Sequence, residues 1–422
     1  MDNFIKKLEK FITPAANWLS RNKVIQAISK GLMNTMPIIM IGAIASVFQN
    51  IPIPAYQHFS SNTFLGVILT TIVNVTTNML SLYVIAAISY AYAGSYKLDK
   101  FVCSLLALMD FFIVTPLNTS GKGMAKVTNL PLDWLGAKGL FTAMIIAIVT
   151  TLIYRFIVEK NLIIKMPDSV PPFVSKSFAA IIPGFVTVII FGLVAFLFSL
   201  TPYHDMHNAI YSIIQIPLSH IGTSVWASAL IYLLSGLCWF FGIHGIAVIS
   251  VVMPIWIGAD VANVSALAAG KAAPNIITYN WINAVSSPGG SGATIGLIIL
   301  ATFFAKSKRY RSLGKLAIVP SIFNINEPVV FGVPMVLNAI MAIPFILTPV
   351  INVFLGYFLT ILKILPVSNG VGSMGLPILM NSFLCGGWRL MIFQIVTIFI
   401  SIAIYYPFFK ILDNRELKAE SK

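Results

Sequence analysis

The sequence predicts an all-α polytopic membrane protein, with about ten transmembrane helices, two re-entrant hairpins and interfacial amphipathic helices. Three observations carry that prediction. Of the 422 residues 58% are apolar and only 9% charged, with a mean hydropathy of +0.90, whereas soluble domains carry about 25% charge. The apolar runs are uninterrupted and of helix length, unlike the roughly ten-residue alternations of an outer-membrane barrel. The basic residues cluster between those runs. At about 20 residues per crossing, roughly ten spans leave roughly 200 residues for loops and half-helices.

The net charge of +14 has the same explanation. Five clusters hold 21 of the 27 Lys and Arg: Lys6 to Lys30, Lys97 with Lys100, Arg155 to Lys176, Lys306 to Lys315, and Lys410 to Lys422. Cytoplasmic loops are enriched in Lys and Arg, so these clusters face inward and both termini are cytoplasmic. Attraction to anionic membrane lipid accounts for them better than nucleic acid does. Cys103, Cys238 and Cys385 lie singly in apolar runs, which indicates neither a disulfide framework nor a metal site. The N-terminal charges are spread over thirty residues ahead of a full-length span, unlike a removable signal peptide.

In chain order, residues 1–30 read as a basic amphipathic helix with Phe4, Ile5, Leu8, Phe11 and Ile12 on its apolar face, lying along the inner surface. A membrane region, 31–220, follows with spans at 31–51, 65–93, 101–117, 140–158 and 178–200. Its 118–139 connection falls outside, a Pro-containing linker at 166–172 falls inside, and 205–220 forms a short amphipathic helix. A second membrane region, 221–410, begins with an apolar run, 225–257, too long for one span and broken at Gly242-Ile-His-Gly245, hence two antiparallel spans. Residues 258–290, rich in Asn, Ala, Ser and Gly, suit a re-entrant hairpin. A span at 291–305 leads to a basic loop, a second hairpin is expected near 317–334, spans at 335–362 and 390–408 follow, and 411–422 is a cytoplasmic tail.

The chemistry concentrates in Pro320-Ser-Ile-Phe-Asn-Ile-Asn-Glu-Pro328 and the residues after it. Glu327 sits there among Asn324, Asn326 and Asn338, and an unpaired carboxylate at membrane depth costs roughly 2.5–3.5 kcal/mol unless buried in protein or lining a wet cavity. Prolines at 320, 328 and 334 disfavour helix before them and should make the segment turn. His244, in Trp239-Phe-Phe-Gly-Ile-His-Gly245, likewise interrupts apolar helix. A neutral imidazole with a carboxylate can donate to and accept from a polyhydroxylated ligand, and Trp239, Trp281 or Trp388 offers a flat apolar face for a sugar ring. His204 and His207 lack a third metal ligand at helical spacing. The glycines at 121–123 and 289–292 follow no strand and open no dinucleotide-binding unit, and no nucleophile elbow or zinc-protease motif occurs, so no cofactor or metal is expected.

Phe323-Asn-Ile-Asn-Glu-Pro-Val-Val-Phe-Gly-Val-Pro-Met-Val-Leu-Asn338, with Trp239 to Gly245 and Leu135-Gly-Ala-Lys-Gly-Leu-Phe141, resembles the membrane-spanning IIC component of the bacterial phosphoenolpyruvate-dependent sugar phosphotransferase system. The likeness is to the lactose/cellobiose/diacetylchitobiose branch and spans essentially the whole chain. It implies a homodimeric permease of the bacterial cytoplasmic (inner) membrane. Such a permease takes an external β-linked disaccharide, of cellobiose or diacetylchitobiose type, and releases it inside as its 6-phosphate. It implies that Glu327 and His244 contact the sugar near the reacting hydroxyl. Trp239, Asn283 and Asn326 would line the pocket, with Lys138 and Trp388 as further carry-overs. It implies that 31–220 serves as scaffold and dimerisation region and 221–410 as transport region. The segment Ser373 to Phe383 departs from the usual family pattern. The phosphoryl donor is expected on a separate IIB protein charged by IIA, because about fourteen residues follow the last span and the cysteines lie within spans; whether the chain is itself an enzyme stays open. A proton-coupled sugar symporter, with Glu327 and His244 as the relay, is the competing reading.

Overall fold

The structure is a computed structural model describing residues 14, 17–19, 21–49, 54–120, 127–167, 169–333, 335–372 and 376–421. The amphipathic helix expected over 1–30 lies outside the described residues for most of its length. Its last residues belong to the first span instead, because Asn22 caps a helix by accepting from the amides of Val24 (2.9 Å) and Ile25 (3.2 Å).

The chain divides into two compact units. One comprises Asn22–His220 with Leu267–Gly270, the other Ile221–Ala266 with Lys271–Lys422. The first is built from α1 (Lys23–Gln49), α2 (Phe64–Val75), α3 (Leu80–Gly94), α4 (Lys100–Val114), α5 (Leu140–Glu159) and α6 (Ile181–Ser199). Lipid supplies no hydrophobic drive between helices, so small side chains and buried hydroxyls set the contacts. Ser89 on α3 bonds Cys103 O on α4 and Thr151 Oγ1 on α5, each at 3.0 Å. Asp110, fully buried on α4, accepts from Thr150 at 2.7 Å. In the 118–139 connection, Asn118–Ser120 pairs antiparallel with Val127–Asn129 as a two-stranded ribbon, a local exception in an all-helical chain.

The second unit holds α7 (Val225–Phe240), α8 (Ile246–Ala268), α9 (Tyr279–Ser286), α10 (Ile295–Ile299), α11 (Lys308–Ile322), α12 (Glu327–Gly332), α13 (Ala339–Ile361) and α14 (Met380–Glu420). Among the described residues seven helices are long and apolar enough to cross a membrane, or nine if two bent pairs each count as one span. The expected third span exists as α4, but at 15 residues it is about 22 Å long, short of the ~30 Å hydrocarbon core.

The helices differ from expectation in two places near the site. Residues 258–268 continue α8, which runs on through Pro254 and Gly258 and ends just before Gly270, at φ +68°. The polar residues that suggest a hairpin from 258 are buried partners of the next segment. Asn263 accepts from the Asn275 amide (2.9 Å) and donates to Asn275 O and Ser368 O, while Asp260 accepts from the Asn280 amide at 2.9 Å, at the positive end of α9. The carbonyls at the other end of α9 are met by Gln394 on α14, which donates to Ala284 O (2.9 Å), and Asn352 on α13, which donates to Ser286 O (3.0 Å). A helix end without water needs such partners. The bent element is therefore Tyr279–Ala293 followed by Ile295–Phe304, at 54°.

The basic 306–315 stretch is largely helix rather than loop. Asp413 accepts from the Lys306 and Ser307 amides and the Ser307 hydroxyl at 2.7–3.0 Å, and Glu420 accepts from the Lys308 and Arg309 amides at 3.0 Å. These carboxylates cap α11 from the last turns of α14, which is helical through the stretch read as a tail.

Candidate functional site

Three turns of the second unit converge on one cavity. The first, Phe241–Gly245, links α7 to α8 and carries His244; Gly242 takes φ +76° there. The second, Phe323–Asn326, links α11 to α12. Pro320 stays inside α11 near its end, and its carbonyl accepts from the amides of Phe323 (2.9 Å) and Ile325 (3.1 Å), closing the turn in which Asn324 adopts φ +61°. Asparagine tolerates that left-handed conformation. Pro328 then sits in the first turn of α12, where its missing N–H costs nothing. The third turn, Ser287–Thr294, contains Gly289, Gly290 and Gly292 at φ +82°, +94° and +77°.

The second and third turns are locked together. The Gly289 amide donates to Asn324 Oδ1 (3.0 Å), and the Asn326 carboxamide donates to Ser291 O (2.6 Å) and Thr294 Oγ1 (2.8 Å). A Cβ on Gly290 would lie 2.7 Å from Asn324 O and Asn326 Cγ, so the close approach needs glycine. From behind, Tyr405 donates to Gly292 O (2.8 Å) and Ser401 to Ala293 O (2.6 Å).

On this frame His244 Nε2 faces Glu327 Oε1 at 3.9 Å. The Ile246 amide donates to His244 Nδ1 (3.2 Å), so a neutral ring carries its proton on Nε2, toward the carboxylate. The Glu327 side chain is 48% exposed and that of His244 53%: both remain open to a ligand. The His244 ring packs against Trp239, centroids 4.4 Å apart, and the indole is held edge-on by Phe331 and Phe345. Trp239 Nε1 is buried with no hydrogen-bond partner among the described residues.

Five of the seven residues expected at the site line this cavity: Trp239, His244, Asn283, Asn326 and Glu327. Asn326 is 3% exposed with its amide nitrogen occupied, which makes it a holder of the 289–294 turn more than a ligand group. Trp388 is not in the lining and stands at a second cavity. Lys138 belongs to the other unit, where it pairs with Asp133 at 3.3 Å. Trp281 is fully buried and outside the lining, which leaves Trp239 as the one of the three candidate tryptophans in the cavity wall. Tyr232, Ser235 and Gly236 also line the cavity. They precede Trp239 by three to seven residues on α7, a one-face helical spacing readable in the sequence. Phe345 and Pro349 on α13 left no such signal.

The model of the family described as "Phosphotransferase system, EIIC" matches residues 29–349. The chain belongs to that family. This EIIC protein is 37% identical to the cellobiose-specific EIIC component of Geobacillus stearothermophilus, over all of this chain and 96% of that one. It is 36% identical to the lichenan permease IIC component of Bacillus subtilis (strain 168), over 98% of this chain and 94% of its relative. Among solved structures it is similar to the transporter ChbC, the IIC component of the N,N'-diacetylchitobiose-specific phosphotransferase system. The TM-score is 0.90 at 36% identity, covering 98% of this chain and 99% of ChbC. As an EIIC protein it is a multi-pass membrane transporter component.

Proposed function

We propose that this EIIC protein carries an external β-linked disaccharide, of cellobiose or diacetylchitobiose type, across the bacterial inner membrane. A separate phosphorylated IIB protein, charged in turn by IIA, transfers a phosphoryl group to the sugar 6-hydroxyl. The observation that carries the reading is the convergence of Glu327 and His244, from different turns, beside the Trp239 face. A carboxylate accepting from a sugar hydroxyl while an imidazole N–H donates to it is the pairing a polyol needs, and the indole supplies the apolar wall. Glu327, beside the hydroxyl, would accept its proton as the oxygen attacks phosphorus; the leaving group stays on IIB.

The cavity is about 100 Å³, whereas pockets that enclose small molecules run from about 300 Å³. Disaccharide binding therefore requires the Trp239–His244 and Asn324–Glu327 segments to part. Phosphorylation adds charge to the sugar, weakening its hold on a site that contains a carboxylate and commits it to the cytoplasm. The reading includes cytoplasmic termini and a homodimer built through 31–220, with 221–410 as the transport region. Lys138 and Trp388 enter it only if a moving pocket reaches them.

Proteoliposomes with labelled cellobiose or diacetylchitobiose outside and phosphorylated IIB inside test it. Sugar 6-phosphate should accumulate inside only when IIB is present. Free sugar accumulating without IIB, driven by a pH gradient, would establish the symporter, with the His244–Glu327 pair as its relay.

A further inference from the structure

A second cavity, of about 550 Å³, lies between α13 and α14 in the same unit, separate from the one lined by Glu327 and His244. Its floor is aliphatic. Leu355 and Leu359 lie one turn apart on α13, and Ile392 and Val396 repeat the same spacing on α14. Both stripes run up to a cation at the same end of the cavity. Lys363 follows Leu359 by one turn, just past the end of α13, and Arg389 precedes Ile392 by three residues.

Neither cation has an ion-pair partner among the described residues, and both are exposed. The Arg389 guanidinium stands 5.5 Å from the ring centre of Trp388, itself 60% exposed. Gly386 and Gly387 break α14 here, at φ −153° and +69°, so Trp388 starts a new helical segment whose first amides add positive potential at the same rim.

An apolar trough about two helical turns deep, roughly 12 Å, with two unpaired cations and a tryptophan at its mouth is complementary to one kind of molecule. Its tail must be a hydrocarbon chain and its head an anion at the membrane surface. We propose that this groove holds an anionic phospholipid, its acyl chain along the Leu355, Leu359, Ile392 and Val396 stripes and its phosphodiester between Lys363 and Arg389. The tryptophan sits at headgroup level, where indoles concentrate. A zwitterionic lipid gains less, because its own ammonium competes with the two side chains for the phosphate.

The test uses the full-length protein and the exposed-site double variant K363Q/R389Q, both in nanodiscs of dioleoyl-phosphatidylglycerol and dioleoyl-phosphatidylcholine mixed in equal amounts. After extraction into detergent, native mass spectrometry counts the lipids retained. Wild type should retain phosphatidylglycerol at least fivefold over phosphatidylcholine, and the double variant should lose that preference while keeping its thermal transition and disaccharide affinity. Equal retention of the two lipids by wild type, or an undiminished preference in the variant, overturns the assignment. A variant that changes only the dimer fraction would show that the groove seats a second copy of the chain, which also overturns it.

Discussion

If Glu327 and His244 grip the same sugar hydroxyl, their substitutions must be coupled, and the geometry bounds the coupling. With a neutral His244 ring, the 3.9 Å between its Nε2 and Glu327 Oε1 is too long for a hydrogen bond and carries no ion-pair energy. Each side chain is about half exposed, so in the empty protein both stay hydrated and the pair itself adds little. Sugar entry excludes water, and each residue then supplies one buried hydrogen bond whose loss costs ~1–3 kcal/mol, a five- to roughly 150-fold weaker Kd. Isothermal titration of whichever disaccharide the wild type binds, against E327Q, H244A and the double variant, closes the cycle. The double variant should lose at least ~1 kcal/mol less than the sum of the single losses, because removing either residue already leaves the shared hydroxyl half-held. Additivity within ~0.5 kcal/mol would place the two residues on separate features of the ligand and refute the shared grip. Unchanged binding in both single variants would remove them from the site altogether.

Three further outcomes are expected. Asn326→Ala removes the donors to Ser291 O and Thr294 Oγ1 in a buried turn, with Thr294 keeping only its own bond to Gly289 O, and should lower stability by ~1–3 kcal/mol, seen as an earlier thermal transition; an unshifted transition would mean that the two turns are not joined there. Gly290→Ala forces a Cβ to within 2.7 Å of Asn324 O at φ +94°, strain of order 1–3 kcal/mol, and should weaken both stability and sugar affinity; affinity held while stability falls would uncouple this turn from the pocket. Asp413→Ala removes two hydrogen bonds to the 306–307 backbone and a third to the Ser307 hydroxyl, so limited trypsin digestion should cut at Lys306–Arg311 several-fold faster. An unchanged cleavage rate would show that Glu420 alone suffices to cap α11.

Local rules found the turns but not what satisfies them. The motif around Glu327 and the Gly-flanked His244 were legible because a carboxylate and an imidazole in apolar sequence are conspicuous, and proline and glycine mark breaks in helix. The same logic started the re-entrant hairpin of 258–290 at residue 258, where Asp260 and Asn263 are still on α8, as helix residues serving a neighbour. It also assigned Pro320 to a break that comes a turn later, since a proline near a helix end forfeits little. The role of Asn326 was hidden for a similar reason: an amide beside the key carboxylate reads as a ligand, and only its contacts with Ser291 and Thr294 reveal a clasp.

Membrane residence, the helical class, the approximate number of spans and the family follow from the sequence by itself, because a bilayer admits few backbone solutions and hydropathy reports them directly. The meeting of three turns at one cavity, the 3.9 Å approach of His244 to Glu327 and the capping of α11 by Asp413 and Glu420 were decided only by the tertiary structure. Each joins residues tens to more than a hundred positions apart, and the pattern of a chain along its length does not state which distant hydrogen-bond partners its folded backbone will need.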